Sequence, residues 1–195
     1  MMISSLSDFT KRGFARLIQP FENSTDDLVR ITRAFSIAMK AHAGNFRDES
    51  QVEPFIHHPL KVALVITEEL NMHRVDLVCA ALLHDVARKD DGDLKKDFGE
   101  DISNIISSAT IPNVLTEDRE KTLTQYFDAM AKNPVLTRYL ILADRLENIR
   151  ALRNNRHKNK ILRYKEETQR FILPIAEITD EKLLFKLSVA LYELK

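Results

Sequence analysis

The chain contains no tryptophan, a single cysteine, four glycines and six prolines, and it carries no excess charge of either sign. Each shortage excludes something. The one cysteine, Cys79, rules out an intrachain disulfide framework and suits a reducing compartment. So few glycines and prolines over 195 residues cannot supply the turns of a sandwich or barrel, which favours long helices. The 29 Lys and Arg are matched by 29 Asp and Glu, so the clustered positive charge that nucleic acid or an anionic membrane surface demands is missing. The longest apolar run, Leu77 to Leu83, is far too short to cross a bilayer. The first residues, Met-Met-Ile-Ser-Ser-Leu-Ser-Asp, lack the basic patch and apolar stretch of a secretory signal. The expectation is a soluble, cytoplasmic protein with neither a nucleic-acid nor a membrane partner.

What is present is ordinary for a globular chain: 44% hydrophobic and 30% charged residues. The length favours one domain, 1–195, burying roughly 70% of the unfolded chain's surface. Helical periodicity recurs throughout, and no segment alternates as a strand would. Ser7-Asp8 caps a first helix that Pro20 stops, and Ser24-Thr25 opens a second carrying Leu28, Ile31, Phe35 and Ala38. Gly44 to Pro54 is polar and aperiodic, a loop. Pro59 suits the first turn of a third helix, where its missing N–H costs nothing. Val75, Val78, Cys79, Leu82, Leu83 and Val86 then define one apolar face, and Arg88 to Asp93 is a polar break. Further helices are expected from Ile102 to Ser108, Thr116 to Ala131, Asn133-Pro134 through Leu152, Ile161 to Ile175, and from Thr179-Asp180 to beyond Leu191. The fold class is all-α, with about eight or nine helices.

The chemistry-bearing residues are histidines and aspartates. His57-His58 precede Pro59, His84-Asp85 end the most regular helix, and Asp144 interrupts an apolar one. A divalent cation needs three or four such imidazole and carboxylate groups converging on one point. Adjacent His and Asp at a helix end both reach one point, because the backbone leaves helical angles there. Asp144 and Asn148, four residues apart, share a helix face and offer a carboxylate and an amide side by side. Each signal alone is weak: a His-Asp pair arises often by chance, and an Asp beside Arg145 is more often half of a surface ion pair. Their order and context join them.

Taken together, these stretches resemble the HD superfamily of metal-dependent phosphohydrolases, whose signature is His, then His-Asp, then a distant Asp. Within it the likeness is greatest to the hydrolase domain of RelA/SpoT alarmone enzymes and to small alarmone hydrolases. It rests on Ala41-His42-Ala43-Gly44, Arg47, Glu53 to Leu60, Ala80 to Val86, Asp97-Phe98-Gly99 and Leu142 to Asn148, and covers about residues 34–176. The resemblance implies a helical HD fold with His58, His84, Asp85 and Asp144 holding one divalent metal ion, usually manganese. His58 rather than His57 is the first ligand, since the family's histidine directly precedes the proline. Arg47 matches an arginine lying against the nucleotide base, the alternative being a solvated loop residue. Asn148 matches an asparagine near the ribose, the alternative being a helix bridge. His42 suits a buried, hydrogen-bonded core position. The implied substrate is a small-molecule nucleotide, guanosine 3′,5′-bis(diphosphate), cut at its 3′-pyrophosphate.

Three positions depart from the pattern. The family's Glu-Asp pair after His-Asp, thought to assist the attacking water, is Arg88-Lys89 here. Ile141 replaces a lysine, and Asp48 replaces a basic residue beside the matched arginine. Three readings follow: Asp90 or Asp91 supplies the missing carboxylate; Arg88 binds phosphate as a transition-state clamp, in a nucleotidase or phosphodiesterase of another HD branch; or the protein binds metal and nucleotide without hydrolysis. Arg88-Lys89 also suits a helix C-terminus electrostatically. Met1 to about Asn23 lies outside the resemblance and is available for packing or for contacts in a homo-oligomer.

Overall fold

A computed structural model of the chain describes residues 6–47, 51–86, 92–110, 119–153 and 158–194. Two compact units divide it, Met1–Ser107 and Ser108–Lys195. Among the described residues there are eleven α-helical segments, no strand, and one isolated antiparallel bridge between Phe46 and Pro54. None of these helices is long and apolar enough to cross a membrane.

In the first unit, α1 (Asp8–Ile18) begins at Ser7, whose Oγ accepts the Thr10 backbone N–H at 3.1 Å. A 3₁₀ turn, Gln19–Phe21, holds Pro20 and ends this segment. Ser24 caps α2 (Thr25–Ala41) in the same way, from the Asp27 N–H. Next come α3 (His57–Leu64), which runs on into a π turn at Val65–Glu69, and α4 (Val75–Leu83). Then α5 (Gly92–Phe98) and α6 (Glu100–Ala109) follow. Helix α4 packs against α2 and α3, and α1 lies on α3.

That arrangement explains why α4 is not the amphipathic helix its spacing suggests. Every residue from Leu77 to Leu83 is buried, because helices cover it on two sides and no polar residue interrupts the run. Each fully buried leucine there contributes roughly 1.5–3 kcal/mol. Helix α1 approaches α3 closely at Gly13, where a Cβ would stand 2.9 Å from Leu60 Cδ2.

The second unit holds α7 (Arg119–Met130), α8 (Val135–Leu152), α9 (Lys158–Glu167), α10 (Leu173–Glu177) and α11 (Glu181–Glu193). Pro134 stands at the N-cap of α8, and the Asp180 carboxylate caps α11 by accepting the Leu183 N–H at 2.9 Å. A π turn at Thr168–Ile172 separates α9 from α10. Helix α8 packs on α10 and α11. Its Arg145 is 5% exposed, with its guanidinium carbon 4.8 Å from the Tyr164 ring centroid. Arg145 pairs with Glu167 at 3.7 Å, and Arg119 pairs with the same carboxylate at 2.6 Å. Arg145 thus has its carboxylate partner on α9, inside the unit.

Two features raise the helix number above the sequence expectation. Helix α5 begins at Gly92, inside the stretch read as a polar break, because Leu94 and Phe98 give it one buried edge. The π turn between α9 and α10 splits what periodicity alone reads as one helix, since one extra residue in a turn barely disturbs an apolar stripe.

Candidate metal centre

In the first unit the ends of α3 and α4 carry the imidazoles. His58 lies in the first turn of α3 and is 3% exposed; His84 follows the last residue of α4 and is 6% exposed. The last carbonyls of any helix lack intrahelical partners. At α4 one of them is used by a side chain: His84 Nδ1 lies 2.8 Å from the Ala81 carbonyl oxygen. A carbonyl only accepts, so the proton sits on Nδ1 and the Nε2 lone pair is left facing the other way. The chain then turns, Val86 N–H donating to the Leu83 carbonyl at 2.9 Å, and this brings Asp85 round beside its neighbour.

Three donor atoms meet there. Asp85 Oδ2 is 3.4 Å from His58 Nε2 and 3.3 Å from His84 Nε2, and the two rings stand 5.2 Å apart, edge to face. These separations are long for hydrogen bonds. Donors about 2.1 Å from one cation stand roughly 3.0–3.4 Å apart, so the spacing suits ligands of a shared ion. Two imidazoles and a carboxylate of borderline hardness fit a divalent transition-metal ion.

The second imidazole of the His57-His58 pair is committed elsewhere. His57 Nε2 lies 2.9 Å from Ser7 Oγ, its Nδ1 lies 3.7 Å from Glu53, and Phe9 packs on its ring at 4.6 Å. Burial pushes its pKa below the usual histidine value, only partly offset by Glu53. His57 thus ties α1 to α3, and His58 alone of the pair faces Asp85.

Arg47 stands on the rim of the same unit. Its backbone N–H donates to the Glu53 carbonyl at 2.9 Å, and Phe55 N–H donates to the Asn45 carbonyl at 2.9 Å, closing the loop around the Phe46–Pro54 bridge. The guanidinium lies 6.0 Å from the Phe55 ring centroid; that ring is 4.6 Å from His42 and 5.9 Å from His58. His42 is buried, 4% exposed. Phe55 links the arginine to the donor cluster, a role that sequence reasoning did not assign although it sits within the matched Glu53 to Leu60 stretch.

Asp144 and Asn148 are on α8 in the second unit, both half-buried, and the Asn148 amide donates to Asp144 Oδ1 at 2.7 Å. This hydrogen bond realises the shared helix face expected of the pair. Ile141, at the position of the family lysine, is buried at 2% exposure. Arg88, Asp90 and Asp91, like Asp48 and Lys89, lie outside the described residues.

This fold agrees with the comparison to known families. The family model described as HD domain matches residues 34–177, and the chain belongs to the HD domain family. A protein of Drosophila melanogaster named guanosine-3′,5′-bis(diphosphate) 3′-pyrophosphohydrolase MESH1 is 29% identical over 117 residues, covering 58% of this chain and 64% of that protein. The bifunctional (p)ppGpp synthase/hydrolase SpoT of Escherichia coli K12 is 29% identical over 158 residues, covering 77% of this chain and 22% of the relative. The match therefore spans just under two thirds of the first relative's length and about a fifth of the second's. A solved structure described as a metazoan ortholog of SpoT that hydrolyzes ppGpp superimposes with a TM-score of 0.69 at 20% identity, over 84% of this chain and 94% of that one. At that identity it speaks for the fold.

Proposed function

We propose that the protein is a metal-dependent nucleotide phosphohydrolase that cuts the 3′-pyrophosphate of guanosine 3′,5′-bis(diphosphate), with water, to give guanosine 5′-diphosphate and pyrophosphate. The observation that carries this reading is the convergence of His58, His84 and Asp85 donor atoms in an HD-family chain. The substrate is taken from the relatives, several of which are named as hydrolases of that nucleotide. The whole chain works as one catalytic domain, a reading supported by the family match running through both units. It acts in the cytoplasm on a small-molecule nucleotide.

His58, His84, Asp85 and Asp144 hold the metal, which is Mn²⁺. When bound, such an ion supplies Lewis acidity toward water and a phosphoryl oxygen. The Ala81 carbonyl keeps His84 in the tautomer that presents Nε2. Asn148 orients Asp144 through its amide and faces the ribose, while Arg47 lies against the base, where a flat guanidinium stacks well. Asp90 or Asp91 takes the proton from the attacking water in place of the absent Glu-Asp pair.

One observation favours a second reading. Arg88 stands where the alarmone hydrolases have an acidic residue. A cation there clamps phosphate rather than accepting a proton, as in a nucleotidase or phosphodiesterase; a non-catalytic nucleotide-binding module is the limiting case. Mn²⁺-dependent turnover of the guanosine tetraphosphate, its adenosine analogue, NADPH and nucleoside monophosphates separates these readings. Pyrophosphate release from the guanosine nucleotide, lost in His84→Ala, is the expected result. Cleavage of another substrate, lost in Arg88→Glu, moves the protein to a different branch. No turnover by the natural chain, with activity appearing in Arg88→Glu, identifies a binding module.

A further inference from the structure

Helix α3 does more than carry His58. One turn further on, Lys61 reaches back to the segment that precedes the helix and forms an ion pair with the Glu53 carboxylate. His57, four residues before Lys61 and on the same face, has its Nδ1 3.7 Å from that carboxylate too. The Lys61 ammonium is 5.6 Å from the centroid of the Phe9 ring, which packs on His57 at 4.6 Å. Lys61 is thus held between an aromatic ring of α1 and the acid of the segment before α3.

Glu53 is where that grip meets Arg47. Its carbonyl accepts the Arg47 backbone N–H at 2.9 Å, and two residues on, Phe55 N–H donates to the Asn45 carbonyl at 2.9 Å. The Phe55 ring then lies 6.0 Å from the Arg47 guanidinium carbon. Residues 45–47 and 53–55 therefore face each other as a short antiparallel pair around the Phe46–Pro54 bridge. A two-stranded pair of this size is marginal in water unless something else holds it. Side chains tie it to α3: Glu53 to Lys61 and His57, and the Phe55 ring, edge-on, to His58 at 5.9 Å. The ion pair itself adds little to folding. The Lys61 and Glu53 side chains are 35% and 32% exposed, and pairs that solvent reaches stabilise weakly. Its effect is on where the pair of segments sits.

We propose that Lys61 is a positioning residue for nucleotide binding: through Glu53 it fixes the backbone of Arg47 against α3, and so sets where the guanidinium meets the base. The inference rests on the reading of Arg47 as the residue that lies against the base. Methionine at position 61 keeps an apolar stem over Phe9 and removes only the charge that holds Glu53. Without that tether the two segments move relative to α3, and the cost of ordering Arg47 falls on nucleotide binding. A loss of this kind raises KM and leaves kcat in place, because the base is held equally before and during reaction.

The test uses the full chain with Mn²⁺. In Lys61→Met, KM for guanosine 3′,5′-bis(diphosphate) is expected to rise about five- to tenfold, with kcat changed by less than about twofold. In an Arg47→Ala background the same substitution should add nothing, since the group it places is gone. Exchanging the charges, Glu53→Lys with Lys61→Glu, should return KM to within about twofold of the natural value, a rescue that a merely structural role does not predict. Hydrogen–deuterium exchange read by mass spectrometry reports the tether without substrate. Peptides carrying Arg47 and Phe55 should exchange faster in Lys61→Met, while those of α4 keep their natural rates, which guards against general unfolding. Unchanged exchange at Arg47 and Phe55 overturns the proposal. So does faster exchange with an unchanged KM. In that case an Arg47→Ala variant that raises KM places the error in Lys61, and one that leaves KM alone places it in the reading of Arg47. If the natural chain does not turn the nucleotide over, equilibrium dissociation constants for the same nucleotide take the place of KM. A chain that neither cleaves nor binds it overturns the proposal and that reading together.

Discussion

His84 is the residue on which the donor cluster turns, because its two nitrogens are assigned different work. Nδ1 is anchored to Ala81, and Nε2 faces Asp85 at 3.3 Å. On the proposed reading, His84→Ala is therefore expected to lower both metal affinity and turnover by more than about 100-fold, since it would remove a ligand outright. Isothermal titration with Mn²⁺ measures the first and pyrophosphate release the second. An unchanged affinity would falsify the assignment. His57 makes the opposite case. Its pKa is lowered by burial, so the unfolded chain takes up the proton more readily than the folded one. Its contribution to stability is complete above the ordinary histidine pKa of about 6.5 and is lost as pH falls through the lower folded value. Denaturant melts between pH 7.5 and 5 should show that loss in the natural chain, and His57→Gln should flatten it.

At the scale of the element, the close approach of α1 to α3 is the sharpest constraint. Gly13 permits this approach, since a Cβ would press on the end of the Leu60 side chain, which is itself fully buried. Gly13→Leu is expected to cost about 2–3 kcal/mol by overpacking, while Gly13→Ala gains in helix propensity and nearly offsets its smaller clash. Chemical denaturation of both variants reads the difference directly. In the second unit, Glu167→Ala leaves Arg145 buried beneath Tyr164 without its carboxylate, at a cost of about 3–5 kcal/mol. Glu167→Gln, which keeps a hydrogen-bond acceptor, should cost less.

These elements differ in how visible they were beforehand. The starts of α1, α2 and α11 are announced by Ser7, Ser24 and Asp180, whose oxygens accept the first free N–H groups, and such chemistry is local. The burial of α4 from Leu77 to Leu83 and the existence of α5 depend on which helices lie alongside, and no window of sequence contains that. The same division runs through the site. Residue type and order single out the His57-His58 and His84-Asp85 pairs, and the family resemblance chooses His58 of the first. The carbonyl that fixes His84 and the ring of Phe55 between Arg47 and His58 emerge only from three-dimensional placement.

The whole molecule is electrically balanced, 29 cationic against 29 anionic side chains, with an isoelectric point near 7.0. With so little net charge, long-range steering of the proposed polyanionic nucleotide would be weak, and attraction would have to come from groups close to the donor cluster. Solubility should pass through a minimum close to pH 7, measurable by precipitation with polyethylene glycol, because colloidal repulsion vanishes there. A protein most soluble at neutrality would contradict this.

The contacts of α1 also set an order of events during synthesis. Its Ser7 finds His57 fifty residues further along the chain, and its Arg16 finds Glu68 fifty-two residues further along. An isolated helix of eleven residues is barely stable in water. At about 5–20 residues per second, the ribosome needs roughly 3–10 s to deliver those partners. Through that interval the first helix has no surface of α3 to dock on, and a slow codon or a bound chaperone within that window would govern how the nascent chain closes.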